Sequence, residues 1–364
     1  MIRTALAAAL IAVASTASAQ MQTSAGSVSV SPVLSGLDAP WGFGFLPSGD
    51  VVITEKRGDV LLLTPGEATR VIGSIDVEDQ GQGGLLDVLV PRDFAESREL
   101  YFTFAKDQGR GSNTAVARGT LSADGALTGV ETIWEAARGA SGGRHFGSRL
   151  VEARDGTLYL TIGDRGDRPS AQNREIENGS VVRITRDGAI PSSNPFVGAD
   201  GRPGIWSYGH RNPQGMAMDA QGRIWTVEHG AAGGDEINLI EKGANYGWPV
   251  ISYGRHYSGA KIGEGTAKEG LEQPAFYWDP SIAPSGMMIY QGDLFPDWRG
   301  DIFVGSLKFD MISRLEARGS VSEAERIASE ETLRVRDIRE APDGSIWFLS
   351  IGNGALYRMA PAGA

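Results

Sequence analysis

Six times along this chain a turn residue, glycine or acid, precedes a short run of β-branched and aromatic residues. The runs are Gly49-Asp50-Val51-Val52-Ile53-Thr54, Glu99-Leu100-Tyr101-Phe102-Thr103, Gly156-Thr157-Leu158-Tyr159-Leu160-Thr161, Gly222-Arg223-Ile224-Trp225-Thr226, Gly300-Asp301-Ile302-Phe303-Val304 and Gly344-Ser345-Ile346-Trp347-Phe348. Runs of this length and composition, bounded by turn residues, read as strands. Anchored on Val52, Tyr101, Tyr159, Trp225, Phe303 and Trp347, they recur at intervals of 49, 58, 66, 78 and 44, near the roughly 40–50 residues of a four-stranded propeller blade. The pattern predicts an all-β, six-bladed β-propeller with four-stranded blades. A pair of β-sandwiches is the competing arrangement and explains the regular spacing less well. The long interval from Trp225 to Phe303 predicts inserted loops at about 228–290, within or between blades. Helical periodicity is scarce, and Glu323 to Glu331 is its best stretch.

The N-terminus breaks the pattern. Arg3 precedes an apolar run from Ala5 to Ala14, too short to span a bilayer. Ala17-Ser18-Ala19 fits the small-residue cleavage rule. Residues 1–19 therefore read as a signal peptide, with a membrane anchor as the alternative, and Gln20 as the mature start. Export to a bacterial periplasm follows as the expectation, and no later segment is long and apolar enough to cross a membrane. Residues 20–35 are Ser-rich and read as an N-terminal tether, leaving 36–364 as the propeller domain.

Composition narrows the chemistry. Fifty glycines in 364 residues is about twice the usual share of roughly 7%, and suits many tight turns. The formal net charge of −11 argues against a nucleic-acid partner, which needs a basic face. With no cysteine, disulfides, thiolate nucleophiles, iron–sulfur clusters and covalent haem are excluded. No Gly-x-Ser-x-Gly elbow, phosphate loop or His-Glu-x-x-His motif occurs. Gly109-Arg110-Gly111 lacks the third glycine of a dinucleotide site. Redox chemistry would need a non-covalent cofactor and a separate electron acceptor.

All four histidines, His145, His210, His229 and His256, lie in glycine-rich, loop-like stretches. Glycines there would let backbone approach a ligand closely. Taken singly, each histidine reads equally as a surface or turn residue.

A set of motifs then carries a resemblance. They are Gly81-Gln82-Gly83-Gly84-Leu85-Leu86, Gly143-Arg144-His145-Phe146-Gly147, Tyr208 through Gly215, Glu228-His229-Gly230, Gly234-Asp235-Glu236-Ile237-Asn238, Asn245-Tyr246-Gly247-Trp248-Pro249, Ala283-Pro284-Ser285-Gly286 and Ser306-Leu307-Lys308. In this order, over about Leu37 to Arg358, the chain resembles the soluble, periplasmic, pyrroloquinoline-quinone (PQQ)-dependent aldose sugar dehydrogenases of the soluble glucose/sorbosone dehydrogenase family. That family's fold is a six-bladed propeller, which agrees with the repeat reading.

The resemblance implies PQQ and Ca²⁺ as cofactors, aldose sugars (mono- and oligosaccharides) as substrates and a lactone product. His145 would be the general base for the anomeric hydroxyl, and Arg211 would stabilise charge on the reduced cofactor. Lys308, in Ser306-Leu307-Lys308, and the pair Arg334 and Arg336 would hold the cofactor's carboxylates. Gln82, Asn212, His229 and Tyr257 would bind or pack on it. The carbonyls of Gly230 and Ala231 would reach a calcium that bridges to the quinone and acts as its Lewis acid. The Glu236 carboxylate and the Tyr246 carbonyl would hold a second, structural calcium. Related proteins usually carry proline at Ala231, and a carbonyl ligand survives that change. His229 matches the broader aldose branch rather than the glucose-specific one. By themselves, Arg334 and Arg336 read more readily as a solvated strand face than as a binding pair, while Gln82 reads equally as a turn residue and Asp235-Glu236 as an acidic turn. Two rival classes remain: a calcium-dependent propeller hydrolase or lactonase, which would want several inward carboxylates, and a non-catalytic glycan-binding propeller.

Overall fold

A computed structural model describes residues 19–363. It shows six antiparallel sheets arranged as a six-bladed β-propeller. Five sheets have four strands and the sixth has five. The innermost strands of blades 1 to 6 are Pro40–Phe45, Leu85–Leu89, Leu150–Glu152, Pro213–Met218, Pro284–Ile289 and Val335–Glu340. All six sequence anchors fall in the second strand of a blade: Val51–Glu55, Glu99–Asp107, Leu158–Ile162, Ile224–Glu228, Ile302–Ser306 and Ile346–Ser350. These strands are buried on both faces, and for that reason they read as unbroken apolar runs. One hydrophobic cluster fills each gap between neighbouring blades, including the gap between blades 6 and 1.

Two expectations are corrected. The Ser-rich stretch 20–35 is not a tether. Strands Ala19–Thr23 and Gly26–Ser35 form a hairpin, and the second pairs with Ala355–Pro361 to complete blade 6. Its serines alternate with Val28 and Val30, which are fully buried between blades 5 and 6. That two-residue alternation is strand chemistry despite the linker-like composition. The leader 1–19 lies outside the described residues except for Ala19, whose backbone opens the hairpin. Glu323 to Glu331 is not helical either: Ser322–Ile327 is the outer strand of blade 5, followed by a short 3-10 turn. Glu323 accepts from Ser313 and from Trp278 of blade 4, whereas Glu325 accepts from Arg314 and from Ser24 of the blade 6 hairpin. The inserted loop lies within blade 4, as residues 240–275 between strands Asp235–Leu239 and Phe276–Trp278.

The threonines that end four of the recurrent runs connect successive blades. Thr54 Oγ1 accepts from the Gly42 amide of its own blade and donates to the Leu86 carbonyl of blade 2 at 2.6 Å. Thr103 repeats the step with Asp87 N and the Ser148 carbonyl, and Thr161 with Arg149 N and the Pro213 carbonyl. Thr226 is equally buried, but its hydroxyl has no partner. Arg149 sits in the channel. Its Nη1 is 3.0 Å from Asp87 Oδ1 and 2.9 Å from Asp337 Oδ1, while its Nε donates to the Gln214 carbonyl. Arg339 pairs with the same two carboxylates.

Replacing Thr54, Thr103 or Thr161 with valine keeps shape but leaves a buried amide and carbonyl unpaired. Each change should cost roughly 1–3 kcal/mol in urea denaturation. Thr226→Val should leave stability unchanged or raised. A loss at Thr226 as large as at Thr103 would contradict this account of the threonines.

Candidate active site

In an antiparallel blade, the segment leading into the inner strand and the segment leaving the second strand emerge at the same end. Here both loop types bear the chemistry. His145 precedes the inner strand of blade 3 and Asp164 follows its second strand. His145 Nδ1 lies 2.6 Å from Asp164 Oδ1. Asp164 is fully buried and also accepts from the Gly166 amide and, through its other oxygen, from the Trp248 indole N–H at 2.8 Å. Burial alone would raise the Asp164 pKa, but the hydrogen bonds from His145, Gly166 and Trp248 hold it below the usual carboxylate value. An ionised Asp164 accepts a hydrogen bond from Nδ1–H, so Nε2 is left as the basic nitrogen. Burial pushes the His145 pKa below 6.5. Asp164 opposes that shift, and Arg211 and Arg144 add to it. The ring is therefore neutral at pH 7. His145 occupies the left-handed region at φ 58°, and its amide donates to Gln82 Oε1 at 2.8 Å. Glycines here let loop approach loop: a Cβ on Gly81 would lie 2.2 Å from the Gly143 carbonyl oxygen.

Beside the dyad lies a cavity of about 620 Å³ whose lining includes Gln82, Asn212, His229, Leu307, Lys308, Arg334 and Arg336. Seven of the expected site residues thus converge. Trp41, Gln214 and Lys56 line it as well, and no aspartate or glutamate does. Arg336 Nη1 donates to Gln214 Oε1, its Nε is buried without a partner, and its guanidinium lies 5.5 Å from the Trp41 ring. Burial, with Arg149 and Arg334 nearby, pulls its pKa down to about 9. Arg334 reaches the cavity from a left-handed residue just before the strand, rather than from within it. Burial together with Arg211 and Arg336 depresses the pKa of His229 to about 3, so its ring is neutral. Its carbonyl accepts from Arg211 Nη1, and its amide donates to the Asn212 carbonyl.

Other expected residues sit elsewhere. Ser306 lies beneath the cavity, donating to the Ile282 carbonyl and accepting from the amides of Lys308 and Phe309. Tyr257, on the inserted loop, is 80% exposed and does not line the cavity. Gly230 and Ala231 form a turn behind it. The Gly230 amide donates to Asp235, and the Ala231 carbonyl accepts from the Arg255 amide. His210 is structural: fully buried, bonded to Glu228 and Ser207, and stacked on Tyr246 at 4.4 Å.

The donors fit both implied cofactors. Four cations line a cavity without acids, as an anionic ligand requires. Burial, then the Glu228 charge, raises the Glu236 pKa to about 8, and Asn238 Oδ1 is buried without a partner. Crowded carboxylates and an orphaned amide oxygen suit a hard cation such as calcium. Among the described residues no three His, Asp or Glu side chains gather as a metal cluster, so backbone carbonyls would complete the shell.

Sequence reasoning missed Asp164, Trp248 as a ligand of Asp164, Trp41, Gln214 and Lys56. The one available signal was the Gly163-Asp164-Arg165-Gly166 turn directly after a recurrent strand.

Comparison with known proteins agrees with this geometry. A family model described as "Glucose / Sorbosone dehydrogenase" matches residues 37–358. Aldose sugar dehydrogenase YliI of Escherichia coli (strain K12) is 42% identical over 337 residues, covering 89% of this chain and 91% of its own. The structure of the soluble aldose sugar dehydrogenase from Escherichia coli in the apo-form matches with a TM-score of 0.88 at 40% identity, over 92% of this chain and 99% of that one. The PQQ-bound form of aldose sugar dehydrogenase from Streptomyces coelicolor matches with a TM-score of 0.76 at 25% identity, over 94% and 99%. The chain belongs to the glucose/sorbosone dehydrogenase family.

Proposed function

We propose that this chain is an exported, periplasmic quinoprotein that oxidises the anomeric carbon of aldose sugars to lactones, using PQQ and calcium and passing electrons to a separate acceptor. Family membership supports a sugar dehydrogenase, and a PQQ-bound relative supports the cofactor. The observation that carries the reading is a neutral, carboxylate-oriented histidine beside an acid-free cavity lined by Lys56, Lys308, Arg334 and Arg336. A hydrolase with several inward carboxylates fits that cavity poorly.

Bound PQQ would supply a two-electron oxidant that accepts hydride from sugar C1. His145 Nε2 removes the anomeric hydroxyl proton, and Asp164 stabilises the imidazolium that forms. Gln82 fixes the backbone of the base through its amide. Arg211 would supply positive charge that stabilises the reduced form of a bound quinone. Lys308, Arg334 and Arg336 hold the cofactor's carboxylates, with Asn212 and His229 on the adjoining wall. Glu236 with the Tyr246 carbonyl holds calcium.

His145→Gln should bind PQQ nearly as the parent does. In a single turnover it should reduce that quinone at least about a hundredfold more slowly. In the parent, kcat/KM should fall only below pH 6.5, because the depressed pKa keeps the imidazole unprotonated above it. Undiminished reduction by the glutamine variant would remove His145 from the role of base.

Arg336→Ala should weaken PQQ binding by roughly tens-fold, since a charge-assisted contact is lost in a buried setting. Fluorescence titration of the apoprotein measures this without turnover. Parent-like affinity would displace Arg336 from the cradle.

Calcium should raise the melting temperature. The folded-state pKa of Glu236, about 8 against 4.5, means that metal-free stability declines as pH rises from about 4.5 to 8. The gain from calcium should therefore be larger at pH 8 than at pH 6, and Glu236→Gln should abolish it. Identical melting curves in calcium and in chelator would sink the assignment.

A further inference from the structure

We propose that Arg168 and His256 form a carboxylate subsite beside the His145–Asp164 dyad, and that the preferred substrates are aldoses bearing an acid group, the uronic acids. The proposal deepens the dehydrogenase reading and rests on it.

Arg168 opens the short 3-10 turn Arg168–Gln172 that follows Asp164. Its Nη1 donates to His256 Nδ1 at 2.8 Å. A guanidinium only donates, so Nδ1 is the acceptor and the His256 proton sits on Nε2. Two donors of fixed geometry therefore stand together, one from the blade 3 turn and one from the inserted loop. Among the described residues no carboxylate lies within 4.0 Å of Arg168.

The position relative to the base is set by Trp248. The Arg168 guanidinium carbon is 5.4 Å from the Trp248 ring centre, and that of Arg211 is 5.5 Å from the same ring. The indole N–H of Trp248 donates to Asp164, which orients His145. Arg168 is thus linked to the dyad through one indole. A pyranose that extended from His145 past Trp248 would bring its far substituent to Arg168.

The charge balance favours an anion there. Arg144, Arg168 and Arg211 take part in no ion pair among the described residues. Arg211 is only 7% exposed, and its Nε is buried without a partner. The nearby carboxylates are otherwise engaged or out of reach. Asp164 serves His145 and Trp248. Asp235 accepts from the amides of Gly230, Ile282 and Ala283 and from Ser281. Asp167 is exposed and outside pairing distance of Arg168. In a chain of net charge −11, these three arginines bring uncompensated positive charge to the neighbourhood of the base. A hydroxymethyl group gains one ordinary hydrogen bond from Arg168, whereas a carboxylate gains a bidentate, charge-assisted pair.

The test uses the full chain loaded with PQQ and calcium. kcat/KM is measured for D-galacturonate against D-galactose and for D-glucuronate against D-glucose, at low and high salt. The uronate should lead each pair by roughly tenfold or more, mainly through KM, and the lead should shrink with salt. Arg168→Gln should bring the ratio within each pair to about one. Binding is measured separately by calorimetry with methyl α-D-galactopyranosiduronate and methyl α-D-galactopyranoside, which lack a free anomeric hydroxyl and are not oxidised. The parent should bind the acid more tightly, and Arg168→Gln should bind the two alike. Equal ratios in the parent, or a uronate preference that survives Arg168→Gln, overturns the subsite while leaving the dehydrogenase reading intact. If no sugar is oxidised, the dehydrogenase reading falls. Selective binding of the methyl uronate that depends on Arg168 would then still establish the subsite.

Discussion

The structure depends on one guanidinium at its axis. Six wedge-shaped sheets with apolar faces would pack around a channel of variable width, since dispersion and burial carry little directional information. Arg149 supplies direction. It comes from blade 3, pairs with carboxylates from blades 2 and 6, and donates to a carbonyl of blade 4. Arg339 doubles the link between the two carboxylates, and the Asp337 carboxylate also accepts from the Phe43 amide of blade 1. Five inner strands are thereby held to one set of distances. Buried ion pairs of this kind add little net stability over apolar packing, because desolvation offsets the Coulomb gain. What they add here is geometry. Trp41 lies 4.4 Å over Arg149 and forms part of the cavity wall, so the axial network is also the floor of the site.

Above that floor the charge pattern reverses. Arg149 is neutralised by aspartates, although its Nη2 has no partner among the described residues, whereas Arg336 and Arg211 have unpartnered Nε atoms and no carboxylate within pairing distance there. Desolvation, only partly opposed by Asp337 for Arg336 and by Asp164 for Arg211, lowers both their pKa values and leaves these cations electrostatically strained in the absence of an anion. The same fold thus holds a charge-neutralised polar network that sets blade positions and a group of cations without counter-charge that an anion would complete. A polyanionic cofactor would be drawn past a negatively charged exterior by this local field, since screening confines the repulsion of distant surface acids to about a Debye length.

What the sequence revealed follows from the same division. Second strands were legible because they are buried on both faces and compositionally uniform, and their terminal threonines now have a physical reason for recurring. The strand Gly26–Ser35 was not legible as such, because its exposed positions are serines and its buried ones only two valines in a stretch that composition marks as a linker. Glu323 to Glu331 carries the best helical periodicity in the chain, yet the partners of Glu323 and Glu325 lie on other strands and leave no local trace. The cradle cations became visible only through resemblance to a family, since an arginine on a strand carries no mark of what it faces. Asp164 was invisible for a related reason. Its role comes from a histidine 19 positions earlier and a tryptophan 84 positions later, a meeting made by topology rather than by spacing.

Topology also explains why so many blades contribute. Every antiparallel blade presents two chain ends to the same rim, one leading into its inner strand and one leaving its second. Gln82, His145, Arg211 and Arg334 come from the first kind; Lys56, Asp164, His229 and Lys308 come from the second. Each residue is within a few positions of a blade strand that is hydrogen-bonded in its sheet, so loop entropy is largely spent when the blades fold rather than when ligand binds. The insertion of 240–275 differs, because it leaves the third strand of blade 4 and must cross back over the rim to bring Trp248 onto Asp164. The orientation of His145 therefore depends on one long loop docking correctly, and a chain with all six blades folded but this loop displaced would keep its cationic cavity and lose the hydrogen bond from Trp248 to Asp164.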